Sequence, residues 1–299
     1  MTQTTPALQH IAVDPAGARK LGMWNWPAAN GNNAHAVVCV HGLTRQARDF
    51  DVLARDLSAE RRVVSVDMAG RGQSDWLQDP MGYQIPTYAQ DMAVVLATLK
   101  AQGVTQIDWV GTSMGGLIGL AICGHPLMQA QCGVRRLVLN DVGPTLSWPA
   151  VQRIQSYIAT HMRHASVEAA AAAMWQLSTG FGPHTPQQWL ELSQAMVKSH
   201  PEGGVVLHYD PALAVPFRQA TQASTLEGDA ALWGLYDAIS ARTLVLRGAL
   251  SDLLTPETVQ HMAVRGPKAA CVEFAGVGHA PTLVAADQRL AIRQFLDAP

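Results

Sequence analysis

A doubly wound α/β fold is what this chain of 299 residues predicts, with a mostly parallel eight-stranded sheet, helices on both faces and a helical insertion. Three observations carry that expectation. Short runs rich in Val, Ile and Leu alternate with longer stretches of helical period; the alternation stops between about 145 and 232; and it resumes at 241. At 48% hydrophobic residues the chain can bury a large core without disulfides or metals.

In chain order, LQHIAVD and KLGMWNW (20–26) alternate apolar and polar side chains, as an antiparallel pair at a sheet edge does. AVVCVH (36–41), RRVVSVD (61–67), QIDWVG (106–111), RRLVLND (135–141), ARTLVLRG (241–248) and AACVEFAG (269–276) read as buried strands. Helices are expected near 48–58, 87–102, 114–129, 256–265 and 282–297. Thr255 caps the fourth of these, with Pro256 at its first position, where a missing N–H costs nothing. Between 145 and 232 no strand pattern is visible. Helices near 148–163, 166–178, 185–199 and 212–224 are separated there by STGFGPHTP and HPEGG. Residues 146–230 are therefore assigned to a helical insertion between two strands of one sheet, and 1–145 with 231–299 to the core.

A formal net charge of −2 gives no electrostatic reason to expect nucleic acid or an anionic membrane as a partner. Cys39, Cys123, Cys132 and Cys271 are far apart and read as reduced core residues. No His/Cys/Glu group has ligand spacing and no phosphate-binding loop is visible, so neither a metal nor an organic cofactor is expected. MTQTTPALQH has no basic-then-apolar pattern, and runs such as 117–123 are too short to span a bilayer. The expectation is a cytoplasmic protein, monomeric or homodimeric.

The chemistry concentrates in GTSMGG (111–116), where a strand passes into a helix through Ser113. So sharp a turn crowds the backbone, which explains Gly111 and Gly115 and predicts a positive φ at Ser113. The hydroxyl is then lifted above the carboxyl end of the sheet, where the first helical N–H groups also point. Ser113 is the candidate nucleophile. His279, in FAGVGHAP, follows the last predicted strand at the same end and is the candidate base; Gly276 and Gly278 let its loop bend, and Pro281 is expected to start the final helix. A carboxylate must orient that histidine. Asp252 in RGALSDLLTP and Asp141 in VLNDVGP both follow strands. Asp252, nearer in chain order and on a longer loop, is favoured, and Asp141 is assigned to bracing the junction with the insertion. The backbone N–H groups of Leu43 and Met114 are the candidate oxyanion donors, and His41 a brace for the first of them.

HG after the third strand, DMAGRGQSD (67–75) after the fourth, GTSMGG after the fifth, Asp252 after the seventh and GVGHAP after the eighth form a combination. In it the chain resembles the α/β-hydrolase fold superfamily over almost the whole core. The resemblance implies that 67–74 is a structural turn, so that Ser74 is not a second nucleophile, and that 146–230 is the family's cap. Serine at 113 points to acyl chemistry, whereas the family's epoxide hydrolases and haloalkane dehalogenases use aspartate there. HGLTRQA departs from the HGxGPGA loop usual in hydrolases of meta-cleavage products. The expected function is hydrolysis of a small, largely apolar carboxylic ester or lactone through an acyl-enzyme. The alternatives are a carbon–carbon hydrolase, a thioesterase, and a small-molecule receptor on a hydrolase scaffold. Of the aromatic residues in the insertion (among them Trp148, Tyr157, Trp175, Phe181 and Trp189), one or two are expected to line an apolar pocket. No Arg or Lys cluster appears there, so a highly anionic substrate is not expected.

Overall fold

The structure is a computed structural model and describes residues 5–158 and 162–299. The first part of the core runs β1 (Ala7–Ala12), β2 (Lys20–Trp26), β3 (His35–Val40), α1 (Asp51–Leu57), β4 (Arg62–Val66), α2 (Ile85–Ala101), β5 (Gln106–Thr112), α3 (Met114–Gly124), α4 (Pro126–Cys132) and β6 (Val134–Asn140). An insertion follows, with α5 (Trp148–Tyr157), α6 (Val167–Ser178), α7 (Pro186–Gln194), β7 (Val197–Ser199), β8 (Val205–Leu207), α8 (Ala214–Gln219) and α9 (Gln222–Asp237). The core then closes with β9 (Arg242–Gly248), α10 (Pro256–Val264), β10 (Ala270–Phe274) and α11 (Ala286–Asp297).

Eight strands form one sheet in the order β1-β2-β4-β3-β5-β6-β9-β10. From β4 to β10 all neighbours are parallel, while β1 and β2 run antiparallel at the edge, Ile11 opposite Leu21. The central runs are apolar throughout because both faces are covered. Along β3, Val38 and Val40 belong to one core cluster with Met92 and Leu96 of α2, and Val37 and Cys39 to another with Phe50 and Leu53. The strand 269–276, expected to be buried, is instead the far edge: Ala270, Cys271 and Glu273 of β10 are exposed.

Other departures have local causes. Pro126 divides the helix expected over 114–129 into α3 and α4, since its ring cannot continue a helix. Pro281 does not start the last helix, which begins at Ala286. Thr221 caps α9, its hydroxyl accepting the Ser224 N–H in a capping box, and so splits the helix expected over 212–224. The insertion is not purely helical: β7 and β8 pair antiparallel across HPEGG, where Gly203 and Gly204 have φ of 87° and 73°. Strands of three residues are too short to show a period. Thr255 caps α10 through the Thr258 N–H, as its sequence predicts.

The insertion is stitched to the core at one place that matters below. The turn after β4 and the segment after β8 exchange two backbone bonds, from the Gly72 N–H to the His208 carbonyl (3.1 Å) and from the Asp210 N–H to the Gly70 carbonyl (2.8 Å). Arg71 thereby faces Tyr209 in an isolated antiparallel bridge.

Candidate active site

Ser113 is the single residue between β5 and α3, at φ 52° and ψ −117°. That conformation is costly for a residue with a Cβ. The corner closes because its neighbours have none. A Cβ on Gly111 would lie 2.2 Å from the Gly115 carbonyl oxygen, and one on Gly115 only 2.0 Å from that of Val40.

His279, on the loop after β10, comes back over this corner. Its Nε2 lies 2.9 Å from Ser113 Oγ and its Nδ1 2.7 Å from Asp141 Oδ2. A neutral imidazole protonated on Nδ1 donates to Asp141 and offers the Nε2 lone pair to the serine hydroxyl. Asp141 is fully buried and sits just past β6 at φ 57°. Its other contacts satisfy the buried charge: the Gly248 N–H donates to Oδ1 (2.8 Å) and the Ser251 hydroxyl to Oδ2 (2.6 Å).

Asp252, expected to orient the histidine, does not reach it. It is exposed and forms a two-pronged ion pair with Arg153 of α5, at 2.6 and 2.9 Å. Strand order decides the matter. β6 lies beside β5, which carries Ser113, whereas β9 is one strand further away. The loop after β9 does contribute, but through Ser251. Asp141 accordingly contacts His279 instead of bracing the junction with the insertion.

Gly42 packs close to Ser113, and its neighbour Leu43 shares with Ser113 the lining of both adjoining cavities. Among the described residues, neither the Leu43 nor the Met114 N–H donates to a protein acceptor. Both amides remain for a ligand. His41 is buried beneath this loop, its Nδ1 donating to the Gly42 carbonyl (2.7 Å) and its Nε2 accepting the Met68 N–H (3.0 Å). Burial, and then the nearby Arg71, push its pKa down to about 3. A second ring proton would meet the Met68 N–H head-on, so the imidazole stays neutral.

One important neighbour was not visible in the motif. Arg71, within DMAGRGQSD, is fully buried. Its guanidinium donates to the Leu43 carbonyl (2.8 Å), the Ala69 carbonyl (2.7 Å) and the Tyr88 hydroxyl (2.8 Å), and touches Met114 Sδ at 3.4 Å. It thus holds both Leu43 and Met114. In the same turn, Ser74 is committed to structure: its hydroxyl donates to the Asp67 carbonyl and accepts the Gly22 N–H.

Two cavities meet at Ser113. One, of about 450 Å³, is lined by His279, Arg45, Arg153, Tyr157, Phe181 and other residues. The second, of about 480 Å³, opens beyond Met114, with Ile85, Leu117, Val142 and Phe217 among its walls. Ile154 stands between them and lines both. Trp175 and Trp189 instead pack edge to face, with ring centres 5.0 Å apart, inside the insertion. Among the described residues, no group of three His, Cys, Asp or Glu side chains could hold a metal, and no helix is long and apolar enough to cross a membrane.

Residues 37–292 match the model of the alpha/beta hydrolase family. The chain is 45% identical over 288 residues to a 3-hydroxybutyrate-oligomer hydrolase of Cupriavidus necator, covering 95% of this chain and 94% of that one. It is 28% identical over 234 residues to an esterase of Mycobacterium tuberculosis, covering 76% and 70% of the two chains. The crystal structure of an alpha/beta hydrolase from Novosphingobium aromaticivorans superposes with a TM-score of 0.82 at 32% identity, over 98% of this chain and 99% of that one.

Proposed function

The chain belongs to the alpha/beta hydrolase family and is an ester-cleaving enzyme, and from that premise we propose that it is a serine hydrolase of short linear oligoesters of the 3-hydroxybutyrate type. The hydrogen-bonded series Ser113–His279–Asp141 carries the mechanistic part of this reading. The substrate part rests on the relative from Cupriavidus necator.

Ser113 Oγ attacks the ester carbonyl while His279 Nε2 takes its proton. Asp141 holds the imidazole in the required tautomer and stabilises its cation. The tetrahedral oxyanion is bound by the Leu43 and Met114 N–H groups, pre-oriented so that little reorganisation is needed as charge develops. When the intermediate collapses, the ester C–O bond breaks and the leaving alkoxide takes the proton from His279. Water then releases the acyl group from Ser113 by the same steps. Residues 146–230 act as a cap that closes the two cavities over the serine.

Ser113→Ala should lower kcat by about 10⁴-fold or more on both an activated butyrate ester and the linear dimer of 3-hydroxybutyrate. A fluorophosphonate should add its mass to Ser113 alone. Labelling at Ser74, or a Ser113→Ala protein with undiminished kcat, would overturn the mechanism; a fully labelled enzyme inert on the dimer would overturn only the substrate.

A further inference from the structure

The cavities on either side of Ser113 differ in the residues that line them. The one beside His279 is lined by Arg45 and Arg153, and among the described residues no carboxylate takes part in its wall. The one beyond Met114 has, among the described residues, no Asp, Glu, Lys, Arg or His in its lining. His279 belongs only to the first cavity and Met114 only to the second.

Two independent constraints fix what enters each side. In ester cleavage the leaving oxygen must take its proton from His279 Nε2, so the departing alcohol lies in the cavity that His279 lines. In a linear oligoester of a hydroxyacid, the fragment on the alcohol side of any cleaved bond is the one that ends in the free carboxylate. The acyl fragment, ending in a hydroxyl, must occupy the other cavity. The carboxylate end of such a substrate is therefore brought to the side with two guanidinium groups.

We propose that Arg153 and Arg45 form a carboxylate subsite for the leaving fragment, so that the enzyme prefers oligoesters with a free acid terminus and binds them in one direction. The inference rests on the oligoester reading above. Both guanidinium groups are already gripped along one edge. Arg45 donates from Nε and one Nη to Asp49 (2.6 and 2.7 Å), and Arg153 does the same to Asp252 (2.6 and 2.9 Å). Neither aspartate lines the cavity. A guanidinium has five donors, and a fork held along one edge keeps its second Nη group as a pre-oriented donor. Tyr157 lines the same cavity. Asp252 thus acts on the substrate through Arg153 and not on His279.

The test compares the linear trimer of 3-hydroxybutyrate with its methyl ester, on wild type, Arg153→Gln and Arg45→Gln, with folding checked by circular dichroism. Wild type should favour the free acid in kcat/KM by about 10- to 100-fold, the range of one charge-assisted hydrogen bond. Each variant should shrink that ratio by raising KM for the acid, and Arg153→Gln should shrink it most. Equal kcat/KM for acid and methyl ester in wild type overturns the subsite, as does an equal fall for both substrates in the two variants. Cleavage of neither trimer, with fluorophosphonate labelling of Ser113 intact, overturns the oligoester reading instead.

Discussion

The end of β6 and the loop after β9 each carry an aspartate at the carboxyl edge of the sheet, and the two have opposite surroundings. Asp141 is fully buried, lies in a left-handed backbone conformation, and spends its oxygens on His279, Gly248 and Ser251. Asp252 is exposed and grips one arginine of the insertion. A carboxylate can orient an imidazole only if its own position is over-determined, and burial with three donors achieves that. An exposed ion pair is screened by solvent and adds little stability. Its use here is to aim a guanidinium.

The contrast breaks most visibly by removing each charge in turn. Asp141→Asn should lower kcat by about 10⁴-fold, because an amide favours the wrong tautomer and does not stabilise the imidazolium. Asp252→Asn should leave kcat on a neutral activated ester within a factor of about three, an exposed pair being worth under about 1 kcal/mol. A dead Asp252→Asn beside an active Asp141→Asn, both folded by circular dichroism, would reverse the assignment.

A second buried group at this edge sharpens the comparison through pH. His41 is held neutral, with a folded-state pKa of about 3. The unfolded chain binds a proton at this histidine below about pH 6.5, whereas the native state refuses it, so the stability this group contributes is complete above that pH and drains away on acidification. The loss should reach roughly 3 kcal/mol by pH 4, at about 1.4 kcal/mol per unit. Urea unfolding from pH 4.5 to 6.5 should show a slope shallower by close to one proton in His41→Gln. Identical slopes would mean that His41 is not the group refusing the proton.

Ser251→Ala makes a smaller cut than Asp141→Asn, since it removes one donor to Asp141 and leaves the others. Loss of a hydrogen bond to a charged group corresponds to about 10-fold or somewhat more in kcat, with KM little changed. An unchanged kcat would show that the Gly248 N–H and His279 suffice to hold the carboxylate.

What the sequence reveals follows from how locally each feature is encoded. The Ser113 corner is written in six consecutive residues, because the glycines that permit it must be adjacent to it. His279 was legible for a similar reason, on a glycine-rich loop at a strand end. The choice between Asp141 and Asp252 was not, because it depends on which strands are neighbours, and chain order ran against it. The same limit hid the carboxylate subsite. The insertion has no basic cluster, yet Arg153 on α5 and Arg45 on the loop after β3 line one cavity. The hairpin of β7 and β8 escaped for want of length, its two strands having three residues each.

The bridge between Arg71 and Tyr209 bears on how such enzymes can be recombined. The turn 70–72 hydrogen-bonds with 208–210, and from its middle residue a buried guanidinium reaches the Leu43 carbonyl and the Met114 sulfur. A foreign insertion spliced between β6 and β9 would have to reproduce the spacing of the His208 carbonyl and the Asp210 amide, or the turn bearing Arg71 would lose its register. The portable unit for building chimeras is therefore not the stretch between β6 and β9 alone but that stretch together with 67–75, two segments separated in the gene that have to be moved as one part.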